Sequence, residues 1–109
     1  TMRFVALEKL INMSDGYTAH RRLGFQDVLL VQRAGEHYVF EARCPHREHS
    51  LDLATVDAGE VRCGLHGYRF SLADGNLIYA SEEPCRRLRV WPVHYEGNEL
   101  GVMWDETEH

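Results

Sequence analysis

A chain of 109 residues, 44% of them hydrophobic, suits one small domain over residues 1–109. A domain of this size buries a modest share of its surface and gains from a staple such as a metal site. The net charge of −5 argues against nucleic acid as a partner and suits a protein that docks on basic patches. No apolar run approaches the ~20 residues of a membrane-spanning helix, and residues 1–10 hold no apolar stretch of the secretory kind. Three cysteines do not make a disulfide scaffold. They fit a reducing cytoplasm in which thiols are committed to a metal.

In chain order the sequence reads as short β-runs separated by turn signals. Residues 3–7 form a first strand, residues 8–13 a single helical turn, and Ser14-Asp15-Gly16 a turn. Residues 17–22 and 26–32 read as strands joined around Gly24. Ala34-Gly35-Glu36 then turns the chain into a strand over residues 37–43. Residues 45–53 do not alternate and read as a loop. Residues 57–60 turn into Val61-Arg62. Residues 69–72 and 77–79 form a hairpin around Asp74-Gly75-Asn76. Residues 86–95 and 99–104 pair last, around Gly97-Asn98, and residues 105–109 are a frayed tail. Turns every 8–12 residues with little helical periodicity indicate an all-β sandwich or barrel.

Two local motifs carry chemistry. The first is Cys44-Pro45-His46. The second, Cys63-Gly64-Leu65-His66, follows it after sixteen intervening residues. Each sets a thiolate and an imidazole within a few residues, just after a predicted strand. Two such loops from neighbouring hairpins converge on one metal centre. Two Cys and two His also satisfy a tetrahedral zinc ion, which would make the chain a zinc-stabilised interaction module. Zinc-finger spacing, however, groups Cys with Cys and His with His. A mixed Cys/His order in each loop suits a binuclear cluster with one thiolate-bound and one imidazole-bound iron.

Cys44-Pro45-His46 and Cys63-Gly64-Leu65-His66-Gly67-Tyr68 resemble the two cluster loops of the Rieske family. The resemblance extends over residues 57–63, Gly67-Tyr68-Arg69-Phe70, Asp74-Gly75-Asn76 and residues 88–93. In size the chain is similar to the small Rieske ferredoxins of bacterial aromatic-ring oxygenase systems. That resemblance implies a Rieske-type antiparallel β-sandwich with a small cluster-binding subdomain formed by two loops, about residues 43–80. It implies one [2Fe–2S] cluster held by Cys44, His46, Cys63 and His66. The histidines would bind through Nδ1, leaving Nε2 toward solvent at a docking surface. It further implies a one-electron carrier, not an enzyme on its own, that links an NAD(P)H-dependent flavin reductase to a terminal oxygenase. The other reading is a small Rieske-like subunit or regulatory module of another redox enzyme, such as nitrite reductase. No acid–base pair, nucleophile motif or phosphate loop points to a small-molecule substrate.

Departures from the respiratory Rieske pattern set an expected potential. His49 and Leu65 stand where that type carries an extra disulfide. Tyr68 and Phe70 stand where it carries a Ser and a Tyr hydroxyl near the cluster sulfurs. Fewer hydrogen bonds to sulfur stabilise the reduced state less, so the expected potential is roughly −150 mV. Among the remaining residues, His49 reads as a loop histidine, and His20, His37 and His94 as surface or pairing residues. Cys85 reads as a small buried hydrophobe beneath the loops. Pro45, Gly64 and Gly67 shape the loops. Trp91 and Trp104 belong to the core or rim of the last hairpin. Tyr68 either shields the cluster or offers it a hydroxyl. Arg47 and Glu48 are candidates for partner recognition.

Overall fold

The computed structural model describes residues 2–45, 50–51, 54–64 and 66–105. In chain order these form β1 (Met2–Lys9), a 3-10 turn (Leu10–Asn12), β2 (Thr18–Leu23), β3 (Gln26–Arg33) and β4 (Glu36–Glu41). There follow β5 (Thr55–Asp57), β6 (Glu60–Arg62), β7 (Arg69–Ser71), β8 (Leu77–Tyr79), β9 (Val90–Trp91), β10 (His94–Glu96) and β11 (Glu99–Asp105). Among the described residues they pair into three sheets, ordered β1-β11-β10, β2-β3-β4-β9 and β5-β6-β7-β8. Every pairing is antiparallel. The all-β expectation holds. The expected subdomain is more than two loops, because β5 to β8 give it a sheet of its own.

The apolar run Val28-Leu29-Leu30-Val31 in β3 explains how the layers join. Successive strand residues face opposite ways, so an unbroken apolar run marks a strand covered on both faces. All four are buried. Val28 and Leu30 pack with Leu7, Leu23, Val39, Leu100 and Val102, between the first two sheets. Leu29 and Val31 point the other way, into a second core with Phe40, Val61, Phe70, Leu72 and Leu88. That second core reaches the sheet β5-β6-β7-β8. One strand therefore serves both cores.

The expected single strand over residues 86–95 is not formed. Residues 86–89 are irregular, β9 pairs with β4 (Val39↔Trp91, Phe40↔Val90), and β10 pairs with β11 (His94↔Gly101). Pro92 lies between the two short strands. It has no N–H to give to a ladder, and proline is confined to strand edges and breaks, so the chain changes sheets there. Trp91 accordingly belongs to β9 and not to the last hairpin, although its ring lies 6.3 Å from that of Trp104 on β11.

Asp74-Gly75 makes the expected turn, and it does more than reverse the chain. Gly75 has φ +81°, and an added Cβ would stand 1.9 Å from the Leu88 carbonyl oxygen. The Leu88 N–H also donates to the Gly75 carbonyl at 2.9 Å. The turn is thus clamped onto the segment that carries the buried Leu88. Gly75→Ala should lower stability by about 3 kcal/mol, from left-handed strain plus overpacking against backbone. A urea titration of the variant checks this.

At the opposite end of β1, Glu8 accepts from Tyr17 Oη at 2.7 Å, Asn12 Nδ2 at 3.1 Å and the Lys9 N–H at 2.8 Å, and pairs with Arg21 at 2.9 Å. The Tyr17 hydroxyl, with these other donors, lowers the Glu8 pKa to about 2. A depressed carboxylate stabilises the fold above its unfolded pKa and loses that contribution as pH falls through the folded value. The loss should fall between the ordinary glutamate value of 4.5 and about 2. Glu8→Gln should therefore flatten the acid limb of a stability-against-pH curve in that window.

Candidate metal centre

The first motif leaves the end of β4. The Ala42 N–H donates to the Asp27 carbonyl at 3.0 Å, and the Leu51 N–H returns to the Ala42 carbonyl at 2.7 Å. Arg43 and Ser50 form an isolated antiparallel bridge. These contacts clamp the base of the loop, and Cys44 sits at its exit, 1% exposed. His46, Arg47, Glu48 and His49 lie outside the described residues, as does Leu65. The positions named for partner recognition and for a respiratory-type disulfide fall there.

The second motif leaves β6. The Gly67 N–H donates to the Cys63 carbonyl at 3.0 Å, and the Cys63 N–H to the Tyr68 carbonyl at 2.8 Å. Gly67 adopts φ +70°, a left-handed conformation that favours glycine and closes the turn back toward β7. Cys63 is 3% exposed. His66 is half-buried, and its Nδ1 atom is turned to the inside. Its carbonyl accepts from Ser81 Oγ at 2.6 Å, which ties the turn to the chain beyond β8. A surface depression here is lined by Cys63, Gly64, His66, Gly67, Tyr79 and Ser81.

The structure therefore brings Cys44 and Cys63 into one buried core, shared with Leu51, Val61, Tyr68 and Phe70. Neither is in a disulfide. Among the described residues no three Cys, His, Asp or Glu side chains gather as a single-ion site. The donor chemistry fits a binuclear cluster. Two thiols in apolar surroundings become thiolates only when a cation offsets the burial of charge, and the inward Nδ1 of His66, on the same loop as Cys63, adds an imidazole donor.

The Tyr68 hydroxyl has a backbone acceptor. The residue is fully buried, and the hydroxyl donates to the Glu83 carbonyl at 2.5 Å. Burial pushes its phenol pKa up. Phe70, also fully buried, brings no polar atom. Cys85 packs against the same core but is only half-buried, and burial raises its thiol pKa. His20 and His94 are exposed on strands. His37 bridges Tyr95 Oη at 2.9 Å and Gln32 Oε1 at 3.0 Å.

Sequence reasoning missed Glu41 and Arg86. Glu41 is 2% exposed, three residues before Cys44, and Arg86 Nη2 reaches its carboxylate at 2.9 Å. Burial raises the Glu41 pKa, and the Arg86 guanidinium opposes the rise. A single acid inside the apolar run Tyr38-Val39-Phe40-Glu41-Ala42 was the available signal. Ser81 was missed as well, and no local pattern marks it.

Comparison with known proteins bears on the same residues. A Rieske [2Fe-2S] domain profile matches residues 3–92. The chain is 32% identical over 78 residues to the biphenyl dioxygenase ferredoxin subunit of Pseudomonas sp. strain KKS102, covering 71% of this chain and 70% of that one. It spans 11% to 23% of the longer curated relatives that it also matches. The ferredoxin of carbazole 1,9a-dioxygenase from Nocardioides aromaticivorans IC177 superposes with TM-score 0.76 at 25% identity, over 91% of this chain and 95% of that one. A complex between oxygenase and ferredoxin of carbazole 1,9a-dioxygenase shares the fold, at 16% identity and TM-score 0.72, over 93% of this chain and 27% of that one. The chain belongs to the Rieske [2Fe–2S] domain family, resembles the ferredoxin components of aromatic dioxygenase systems, and carries one Rieske-type cluster.

Proposed function

We propose that this chain is a one-electron carrier that takes electrons from an NAD(P)H-dependent flavin reductase and delivers them to a terminal oxygenase, in the cytoplasm and without catalysing a turnover itself. The observation that carries the reading is the shared burial of Cys44 and Cys63 in one apolar core, with the inward Nδ1 of His66 on the second loop. In this reading Cys44 and Cys63 hold one iron, and His46 and His66 hold the other. Residues 1–109 act as one domain, with residues 43–80 as its cluster-binding part. When bound, the cluster supplies reversible one-electron chemistry.

The protein's own residues then have two tasks. Tyr68 and Phe70 seal the cluster from the inside, because the one hydroxyl between them is committed to Glu83. His66 is half-exposed at the depression beside Tyr79 and Ser81, where a partner's acceptor can approach its imidazole edge. The relation to the biphenyl dioxygenase ferredoxin subunit, and the existence of an oxygenase–ferredoxin complex with this fold, support a terminal oxygenase as acceptor.

Two measurements on the holoprotein test the reading. A redox titration should give a midpoint of roughly −150 mV, because neither Tyr68 nor Phe70 has a hydroxyl to give a sulfur. A midpoint near +300 mV, the respiratory end of the range, would sink that part. Stopped-flow mixing of the reduced protein with an oxidised Rieske oxygenase should then reoxidise it at a rate that rises with oxygenase concentration. A concentration-independent rate would rule out direct delivery.

A further inference from the structure

The sheet β5-β6-β7-β8 turns one row of side chains toward the depression at the second cluster loop. Its register sets Thr55 opposite Arg62, Arg62 opposite Arg69 and Arg69 opposite Tyr79. Residues directly opposite on antiparallel strands share a face. On the other face, Val61 and Phe70 are buried in the second core. All four members of the row line the depression, together with Cys63 and His66. We propose that this depression is an anion-attracting exit for the electron, shaped for a partner whose acceptor site is ringed by carboxylates. It rests on the carrier reading and adds the chemistry of the partner's face.

Three observations carry this. First, the net charge of −5 would favour a basic partner if it were evenly spread, and here it is not. Among the described residues the depression is lined by two arginines and by no carboxylate. Arg69 is paired with Glu60 at 3.0 Å, and Glu60 is not part of the lining. Arg62 is exposed and has no ion pair among the described residues. Second, Arg62 is held beside the loop that carries Cys63 and His66. A Cβ added to Gly67 would stand 3.7 Å from its Nε and 3.8 Å from its Nη2, so the guanidinium lies against the turn that follows His66. Third, the row weakens its own sheet. Like charges directly opposite each other on adjacent strands are destabilising, and Arg62 and Arg69 are such a pair. A cation that strains its sheet, at the mouth of the site, is explained by what approaches from outside. Local fields of this kind steer charged partners and are screened by salt.

Two outer-sphere oxidants of opposite charge test it: the tris(oxalato)cobaltate(III) trianion and the tris(phenanthroline)cobalt(III) trication. Each takes one electron from the reduced cluster, which returns to its oxidised state as Co(III) becomes Co(II), and no bond to the protein forms. In stopped-flow mixing with the reduced holoprotein, the trianion should react fastest at low salt and slow as ionic strength rises. Arg62→Glu should reverse that trend and slow the trianion about tenfold at low salt, while speeding the trication. A shift of midpoint would move both rates in directions set by driving force alone, the same for each, so opposite changes isolate the charge. The melting temperature should not fall, because Arg62→Glu sets an opposite charge across from Arg69. Reoxidation by a Rieske oxygenase should slow by a similar factor in the variant. A trianion rate that climbs with salt in the parent, or that is unchanged in Arg62→Glu, would overturn the proposal and leave the carrier reading intact. Oxygenase delivery undiminished in Arg62→Glu, beside reversed small-oxidant trends, would make the depression a small-anion site and overturn the partner assignment. A protein with no reducible cluster would overturn both.

Discussion

Cys63→Ser should purify without the visible absorbance of the cluster, whereas Cys85→Ser should keep all of it. The contrast is sharp because the two thiols sit in the same core cluster and differ in position, not in chemistry. Cys63 closes the turn over the depression through its own backbone N–H and carbonyl. Cys85 only packs against the core from a half-buried position. Loss of the cluster should also cost stability, because a group that binds only the folded state stabilises it by mass action. Occupancy at a thousand times the dissociation constant contributes about 4 kcal/mol. In a domain of this size that corresponds to a fall in melting temperature of roughly 15–30 °C. Calorimetry beside iron and sulfide analysis checks both halves. A coloured Cys63→Ser protein would remove Cys63 from the ligand set, and a colourless Cys85→Ser protein would put Cys85 into it.

The second large effect is expected at Arg86. Arg86→Ala leaves the Glu41 carboxylate buried without its ion-pair partner, with Arg89 still lowering its pKa through its charge and backbone, and removing one member of a buried pair costs about 3 kcal/mol. The cost should depend on pH with a definite sign. Burial holds the Glu41 pKa above its ordinary value. An acid with a raised folded pKa contributes its stability below the unfolded pKa and loses it as pH rises through the folded one. Removing the guanidinium raises the folded value further. Arg86→Ala should therefore be most destabilised near pH 8 and partly recover near pH 5, where Glu41 takes up a proton. Adding Glu41→Gln to the variant should remove this pH dependence. Urea midpoints at the two pH values measure the effect.

Much of this was legible in short stretches of sequence. The two Cys/His motifs, the hairpins at Gly35, Gly75 and Gly97 and the turn before Cys63 are local signals, and each depends on residues within a few positions. Ala34 and Ala58 occupy left-handed conformations at φ +52°, yet the glycines after them were enough to mark both turns. What could not be read depends on distant partners. The split of residues 86–95 at Pro92 follows from which sheet has a free edge on each side of it. The strand β5 is only three residues long, and its pairing with β6 gives it order that its composition does not announce. Glu41 and Arg86 are forty-five positions apart, so neither residue alone shows that the other neutralises it. Sequence narrowed the role of Tyr68 to two options, and the acceptor of its hydroxyl, the Glu83 carbonyl fifteen positions away, could not be read from it.

The two-faced strand β3 has a consequence for how the molecule opens. Native proteins exchange their amide hydrogens through partial openings whose free energies range from nearly zero up to that of global unfolding. Leu29 and Val31 are buried in the core that reaches β5 to β8, and Val28 and Leu30 in the core between the other two sheets. Their amides should therefore be protected by both cores, and should exchange only when the whole molecule does. The short strands β5 to β8 touch only the second core and should open first. The cluster would then ride on the more labile part of the protein, anchored to the part that opens last.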